Sequence, residues 1–178
     1  RQEIRSCLPI MTQLAERYAD CQFVVAAAPG VEAEFYESVI GKTGVKIIYG
    51  ATYPLLRVAR AAVVNSGTAT LETALFRVPQ VVVYKVFGGR LTMLLKPLLI
   101  KTPWVSLVNI IAQREVVTEL LAHNYTLERT DAELRPILSD GDHRQQILQS
   151  YDQIIRTLGL AGADARCAEK ILKYPHSK

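Results

Sequence analysis

Ala61-Ala62-Val63-Val64-Asn65-Ser66-Gly67-Thr68-Ala69-Thr70-Leu71-Glu72 decides the fold. A short apolar run meets a turn of small residues, and the turn opens a helical stretch over 68–76. Such a strand–turn–helix leaves backbone N–H groups uncovered at the helix start. Those groups, with the positive end of the helix dipole, suit an anion such as a diphosphate. Glu72 falls about one turn into the helix, where a carboxylate repels phosphate but accepts hydrogen bonds from a diol. Diphosphate beside a diol describes a nucleotide, and a nucleotide-sugar is a natural candidate. The plain alternative is an ordinary α/β turn, with Glu72 favoured near the helix N-terminus by the dipole.

Outward from this turn the same alternation recurs. Residues 4–18 carry apolar side chains near helical spacing. Residues 23–28 form a solid apolar run that stops at Pro29-Gly30, as a buried parallel strand does. A helix is predicted over 32–40, a strand over 45–49, a short helix over 54–60 and a strand over 61–64. Residues 80–84 are the most β-branched run and predict a strand. Strands alternating with helices imply βαβ units, hence an α/β fold with a Rossmann-like parallel sheet flanked by helices.

Beyond residue 85 the pattern changes. Residues 88–101 are amphipathic and basic, with Arg90, Lys96 and Lys101 around a leucine-rich stripe. That stripe serves either as a helix face packed on the sheet, broken by Pro97, or as a basic face against an anionic membrane. Residues 103–108 read as extended. Helices are predicted over 114–122, 130–138, 142–158 and 163–173. The division expected is a nucleotide-binding domain over 1–125 and a helical tail over 126–178, packing on the same domain or on a partner.

Bulk properties bound the rest. A chain of 178 residues suggests one domain, and its 49% hydrophobic content supports a core. No run approaches the roughly 20 apolar residues of a membrane span. Net charge is +4, too diffuse to argue for nucleic acid. Cys7, Cys21 and Cys167 show no pairing pattern and predict neither a disulfide framework nor a zinc site. His123, His143 and His176 lack partners at ligand spacing, and no Asp-x-Asp pair offers a metal anchor. No metal and no cofactor is expected.

Four blocks then carry a family resemblance in order: Arg1-Gln2-Glu3-Ile4 with Leu8-Pro9; Ser66-Gly67-Thr68-Ala69-Thr70-Leu71-Glu72; Val81-Val82-Val83-Tyr84-Lys85; and Val105-Ser106-Leu107-Val108-Asn109 with Arg114-Glu115 and Glu119-Leu120-Leu121. Together they resemble the C-terminal half of lipid-A-disaccharide synthase, a glycosyltransferase of the two-domain GT-B class. The resemblance implies that the parent enzyme joins UDP-2,3-diacylglucosamine to 2,3-diacylglucosamine 1-phosphate with inversion, releasing UDP. It further implies that this half holds the donor, that the missing N-terminal domain supplies the acceptor site and general base, and that the fragment binds UDP without turnover. The glycine and serine expected before Arg1 are absent, as is the central strand expected ahead of them. Val108 stands where many members have proline.

Carried over residue by residue, the resemblance assigns Ser66, Gly67 and Thr68 to the diphosphate and Glu72 to the ribose. Arg1 neutralises phosphate, and Lys85 closes a strand at the cleft side. Asn109 holds sugar hydroxyls or leaving phosphate, with helix N-capping before Ile110 as its alternative reading. Arg114, Glu115 and Glu119 read as a surface charge set. Another UDP-GlcNAc transferase or an epimerase of the same architecture, and a non-catalytic nucleotide- or partner-binding module, are the alternative functions. The expected location is cytoplasmic and peripheral to the inner membrane. The apolar stripe Ile147, Leu148, Tyr151, Ile154, Ile155 and Leu158 is expected to be left uncovered, favouring a homodimer or swapped assembly.

Overall fold

Short apolar runs become strands here because helices on either side can bury them, and all strand pairs are parallel. The computed structural model describes residues 1–41, 43–65, 67–85, 103–159 and 169. Ser66, the 88–101 stretch and, apart from residue 169, the helix predicted over 163–173 lie outside the described residues.

Helix α1 (Gln2–Ala15) leads to β1 (Val24–Ala27), α2 (Ala33–Ile40) and β2 (Lys46–Tyr49). Helix α3 (Thr52–Val58) follows and holds Pro54 in its first turn. The N–H groups there lack intrahelical acceptors, so proline is tolerated and the helix starts ahead of it. Next come β3 (Ala62–Asn65), α4 (Thr68–Leu75) and β4 (Gln80–Tyr84). Helix α5 (Leu107–Ala112), β5 (Glu119–Leu121), a 3-10 turn at Ala122–Asn124, α6 (Leu127–Leu138) and α7 (Asp142–Leu158) follow among the described residues.

The fold class is α/β with parallel sheets flanked by helices and a C-terminal helix, as the alternation predicts. The sheet, however, is in two pieces. Strands β1 and β2 form one, with Val24 opposite Lys46 and Ala27 opposite Tyr49. Strands β3, β4 and β5 form the other, with Val63 opposite Val81 and Val83 opposite Leu120. Helix α1 joins them. Its Leu8 packs in a small core with Ala27, Tyr36 and Ile40. Its Cys7 and Leu14 pack in the main core with Val81, Val82 and Val83.

Three sequence expectations are corrected. The helix predicted over 114–122 is a loop followed by β5, because Glu119-Leu120-Leu121 pairs with β4. The extended segment over 103–108 turns helical at Leu107, where Ser106 caps α5 by accepting the Asn109 N–H at 3.3 Å. The stripe on α7 is covered: Ile147, Tyr151 and Ile154 are buried in the main core, and only Leu158 at the end is well exposed. That removes the reason for expecting a partner on this face.

Candidate functional site

The β3–α4 turn is shaped by one glycine. Gly67 adopts a φ of 120°, which L side chains rarely reach. A Cβ there would meet no atom within 4 Å, so conformation rather than space requires glycine. Gly67 is the N-cap of α4 and no side chain caps the helix. Gly67, Thr68 and Ala69 are exposed, so the first-turn N–H groups open outward. Behind them the turn is rigid. Thr70, fully buried, donates its hydroxyl to the Gly67 carbonyl at 2.8 Å. Gln80 Nε2 donates to the Thr70 carbonyl at 2.9 Å and to Tyr151 Oη at 3.2 Å, tying α4 to β4 and α7. Glu72 stands half-buried one turn further along α4.

The first turn of α1 closes the other side. Glu3 accepts a long bond from Asn65 Nδ2 at 3.4 Å, which sets α1 beside the end of β3. Asn65 Oδ1 is buried and has no partner within the described protein. Lys85, exposed at the carboxyl end of β4, lines an open depression of about 400 Å³ with Gln2, Arg5 and Ser6. The carboxyl ends of parallel strands are where α/β sheets place ligands. Arg1 lies one turn before Arg5. It pairs with Glu32, and both guanidinium groups lie over the Phe35 ring, at 5.5 and 5.0 Å from its centre. Arg5 has no role in the sequence reading, although its spacing of four from Arg1 puts the two on one helix face.

Asn109 does not join this group. It is fully buried in the first turn of α5, and its amide is saturated inside the protein. Nδ2 donates to the Val117 carbonyl at 2.9 Å and to Glu119 at 3.0 Å. Oδ1 accepts the N–H groups of Val116 at 2.8 Å and Val117 at 3.1 Å. Bonded in this way the amide has no exposed atom to offer, and the helix N-cap is Ser106. Glu119, half-buried, is likewise tied into the fold rather than part of a surface charge set. Its carboxylate accepts the Val105 and Ser106 N–H groups, both at 2.9 Å, besides the Asn109 amide. Arg114 donates to Ser150 Oγ at 2.9 Å and pins α7. Sequence spacing carries no signal for these tertiary bonds.

Gly67, Thr68 and Glu72 thus share α4, while Arg1 and Lys85 border the first turn of α1 next to it. Cationic side chains on and beside the first turns of α1, which Glu3 ties to the end of β3, and an open helix start each favour a multiply charged anion. Among the described residues no group of three His, Cys, Asp or Glu side chains is placed to hold a metal, and no helix is long and apolar enough to cross a membrane.

The sequence profile of the family described as lipid-A-disaccharide synthetase matches residues 1–171. The chain belongs to that family. Among curated lipid-A-disaccharide synthases, it is 38% identical to the protein of Syntrophus aciditrophicus over 93% of this chain and 45% of that protein. It is 37% identical to the protein of Myxococcus xanthus over 96% of this chain and 46% of that one. It is 32% identical to the protein of Gloeothece citriformis over 98% and 47%. The chain therefore spans about half the length of the lipid-A-disaccharide synthases it matches.

Proposed function

We propose that this chain is the donor-binding half of a glycosyltransferase that makes the lipid A disaccharide. It holds UDP-2,3-diacylglucosamine by its nucleotide. The observation that carries this reading is the open start of α4 behind Gly67, with Glu72 one turn away, in a member of this family. Thr68 and Gly67 offer backbone N–H groups to the diphosphate, assisted by the Ser66 or Thr68 hydroxyl. Glu72 accepts the two ribose hydroxyls. Arg1, Arg5 and Lys85 balance the phosphate charge, so the site calls for no metal.

The transfer itself is a displacement at the sugar anomeric carbon by the 6-hydroxyl of 2,3-diacylglucosamine 1-phosphate, with inversion. A base must take the hydroxyl proton, and the part of the enzyme outside this chain supplies it together with the acceptor site. What these residues contribute is charge stabilisation on the departing UDP, worth most where the donors are fixed in advance. Thr70 and Gln80 do that fixing. Asn109, placed among the donor contacts by sequence, is assigned instead to holding α5 in position. A lipid donor and a lipid acceptor would suit a parent enzyme that works at a membrane surface, and the cytoplasmic face of the inner membrane is the location proposed with this reading.

Calorimetry tests the reading. UDP should bind the chain equally with and without EDTA. Glu72→Ala should weaken UDP by about 1–3 kcal/mol, the cost of losing a charged hydrogen-bond partner, and should weaken 2′,3′-dideoxy-UDP much less. Equal losses for the two ligands would remove Glu72 from the ribose, and strict dependence on magnesium would overturn the metal-free site.

A further inference from the structure

Tyr53 is an aromatic residue without a core to explain it. Helix α3 buries none of its residues, and Tyr53 remains 51% exposed. Its ring lies nearly parallel to that of Phe76, with centroids 5.3 Å apart and planes at 23°. Its hydroxyl donates to Glu72 Oε1 at 3.4 Å.

The position of this pair along α4 gives it meaning. Thr68, Glu72 and Phe76 recur at every fourth residue and fall on neighbouring parts of one face, roughly 6 Å apart along the axis. Read from the helix start, that face offers N–H groups, then a carboxylate, then an aromatic stack. A nucleoside diphosphate offers phosphate, then a diol, then a flat base in the same order. Phe76 backs one part of the Tyr53 ring and leaves the remainder open to a ligand. The Tyr53 hydroxyl meanwhile holds one carboxylate oxygen of Glu72 and restricts how the other is presented.

We propose that Tyr53, supported by Phe76, is the nucleobase-stacking surface of this site and also orients Glu72 toward the ribose. The proposal rests on the nucleotide reading above. It adds a residue from a different helix and makes α3 one wall of the site. Stacking suits this role because every base has a π face, and an aromatic partner needs no hydrogen-bond match.

The test uses the full 178-residue chain with UDP, inorganic pyrophosphate and 2′,3′-dideoxy-UDP in calorimetry, each variant being checked by its urea midpoint. Tyr53→Ala should lower UDP affinity about tenfold while pyrophosphate stays within about twofold. Tyr53→Phe keeps the ring, so it should retain most UDP affinity yet narrow the preference for UDP over the dideoxy analogue. Unchanged UDP affinity in Tyr53→Ala would overturn the proposal, and so would an equal loss for pyrophosphate, which would mark general damage to the site. If Glu72→Ala behaves as proposed and Tyr53→Ala is silent, only this inference falls. If the unaltered chain binds neither UDP nor pyrophosphate, the nucleotide reading falls and takes this one with it.

Discussion

Strands β1 and β4 are both short apolar runs, Val24-Val25-Ala26-Ala27 and Gln80-Val81-Val82-Val83-Tyr84, yet only β4 is sealed from water. Gln80 through Val83 are buried, whereas Val24 and Val25 are half-buried and Ala26 is exposed. The difference lies in the neighbours. Strand β4 sits between β3 and β5 and is packed by α1, α4 and α6. Among the described residues strand β1 pairs with β2 alone, and it meets α3, none of whose residues is buried. Val58 on α3 is 81% exposed. An apolar strand therefore states a capacity to be buried; whether it is filled depends on elements brought in from elsewhere in the chain.

Paired truncations are the strongest way to break this contrast. Tyr151 is fully buried in the main core, and Tyr151→Ala should cost about 3–5 kcal/mol in urea denaturation. Val25→Ala in β1 should cost less than about 1.5 kcal/mol, since Val25 is only half-buried. Similar costs for the two would show that the smaller unit is built as tightly as the larger.

The next effect sharpens the contrast from inside the larger unit. Asn109→Ala strands two backbone N–H groups and one carbonyl among buried neighbours, and should cost about 2 kcal/mol. Glu119→Ala removes the same corner. In a double-mutant cycle the pair should lose clearly less than the sum of the single changes. Strict additivity would mean that the network does not act as one.

The smallest effect concerns the strap between the end of α1 and α6. Tyr18 donates its hydroxyl to Asp131 Oδ1 at 2.5 Å. That bond, followed by Arg135 and Arg17, holds the Asp131 carboxyl below its usual range, against the opposing pull of partial burial. Burial and the same bond push the Tyr18 hydroxyl up to about 12. The folded state thus favours the Asp131 carboxylate. Its stabilisation is in place above the ordinary value of 3.8 and fades as pH falls below it. On the tyrosine side the stabilisation holds below the ordinary value of 10.0 and is lost as pH rises through about 12. Tyr18→Phe should cost no more than about 1 kcal/mol at pH 7, and the difference should vanish at pH 2. A constant difference across that range would detach the strap from Asp131.

What the sequence disclosed follows the same division. Strand β4 was legible because Val81, Val82 and Val83 are β-branched and continuous. Helix α7 was legible from its period, and the α4 turn from Gly67. Strand β5 was not, because Glu119-Leu120-Leu121 has no strand character of its own and becomes a strand only against Val82, Val83 and Tyr84. Asn109 read as a ligand contact or a helix N-cap, because nothing near it in sequence shows that Val116, Val117 and Glu119 will consume its amide. Which strands fall in which piece of the sheet was hidden for the same reason: pairing is decided between segments far apart. At the site, the α4 residues were readable as a local motif. Arg5 and Tyr53 were not, since each matters through a neighbour on another element.

Helix α1 carries a consequence for how the chain is made. Its Cys7 carbonyl accepts the Tyr125 hydroxyl at 2.6 Å across a separation of 118 residues. At a synthesis rate of about 5–20 residues per second, roughly 6–24 seconds pass between the two ends of that bond. For that interval the helix is seated only in part: Leu8 can meet Ala27, Tyr36 and Ile40 early, while Val81 to Val83 and then the Tyr125 bond arrive later. Helix α1 is thus closed in stages, and a chaperone that shields short apolar helices would find its substrate in the side still waiting for the larger unit.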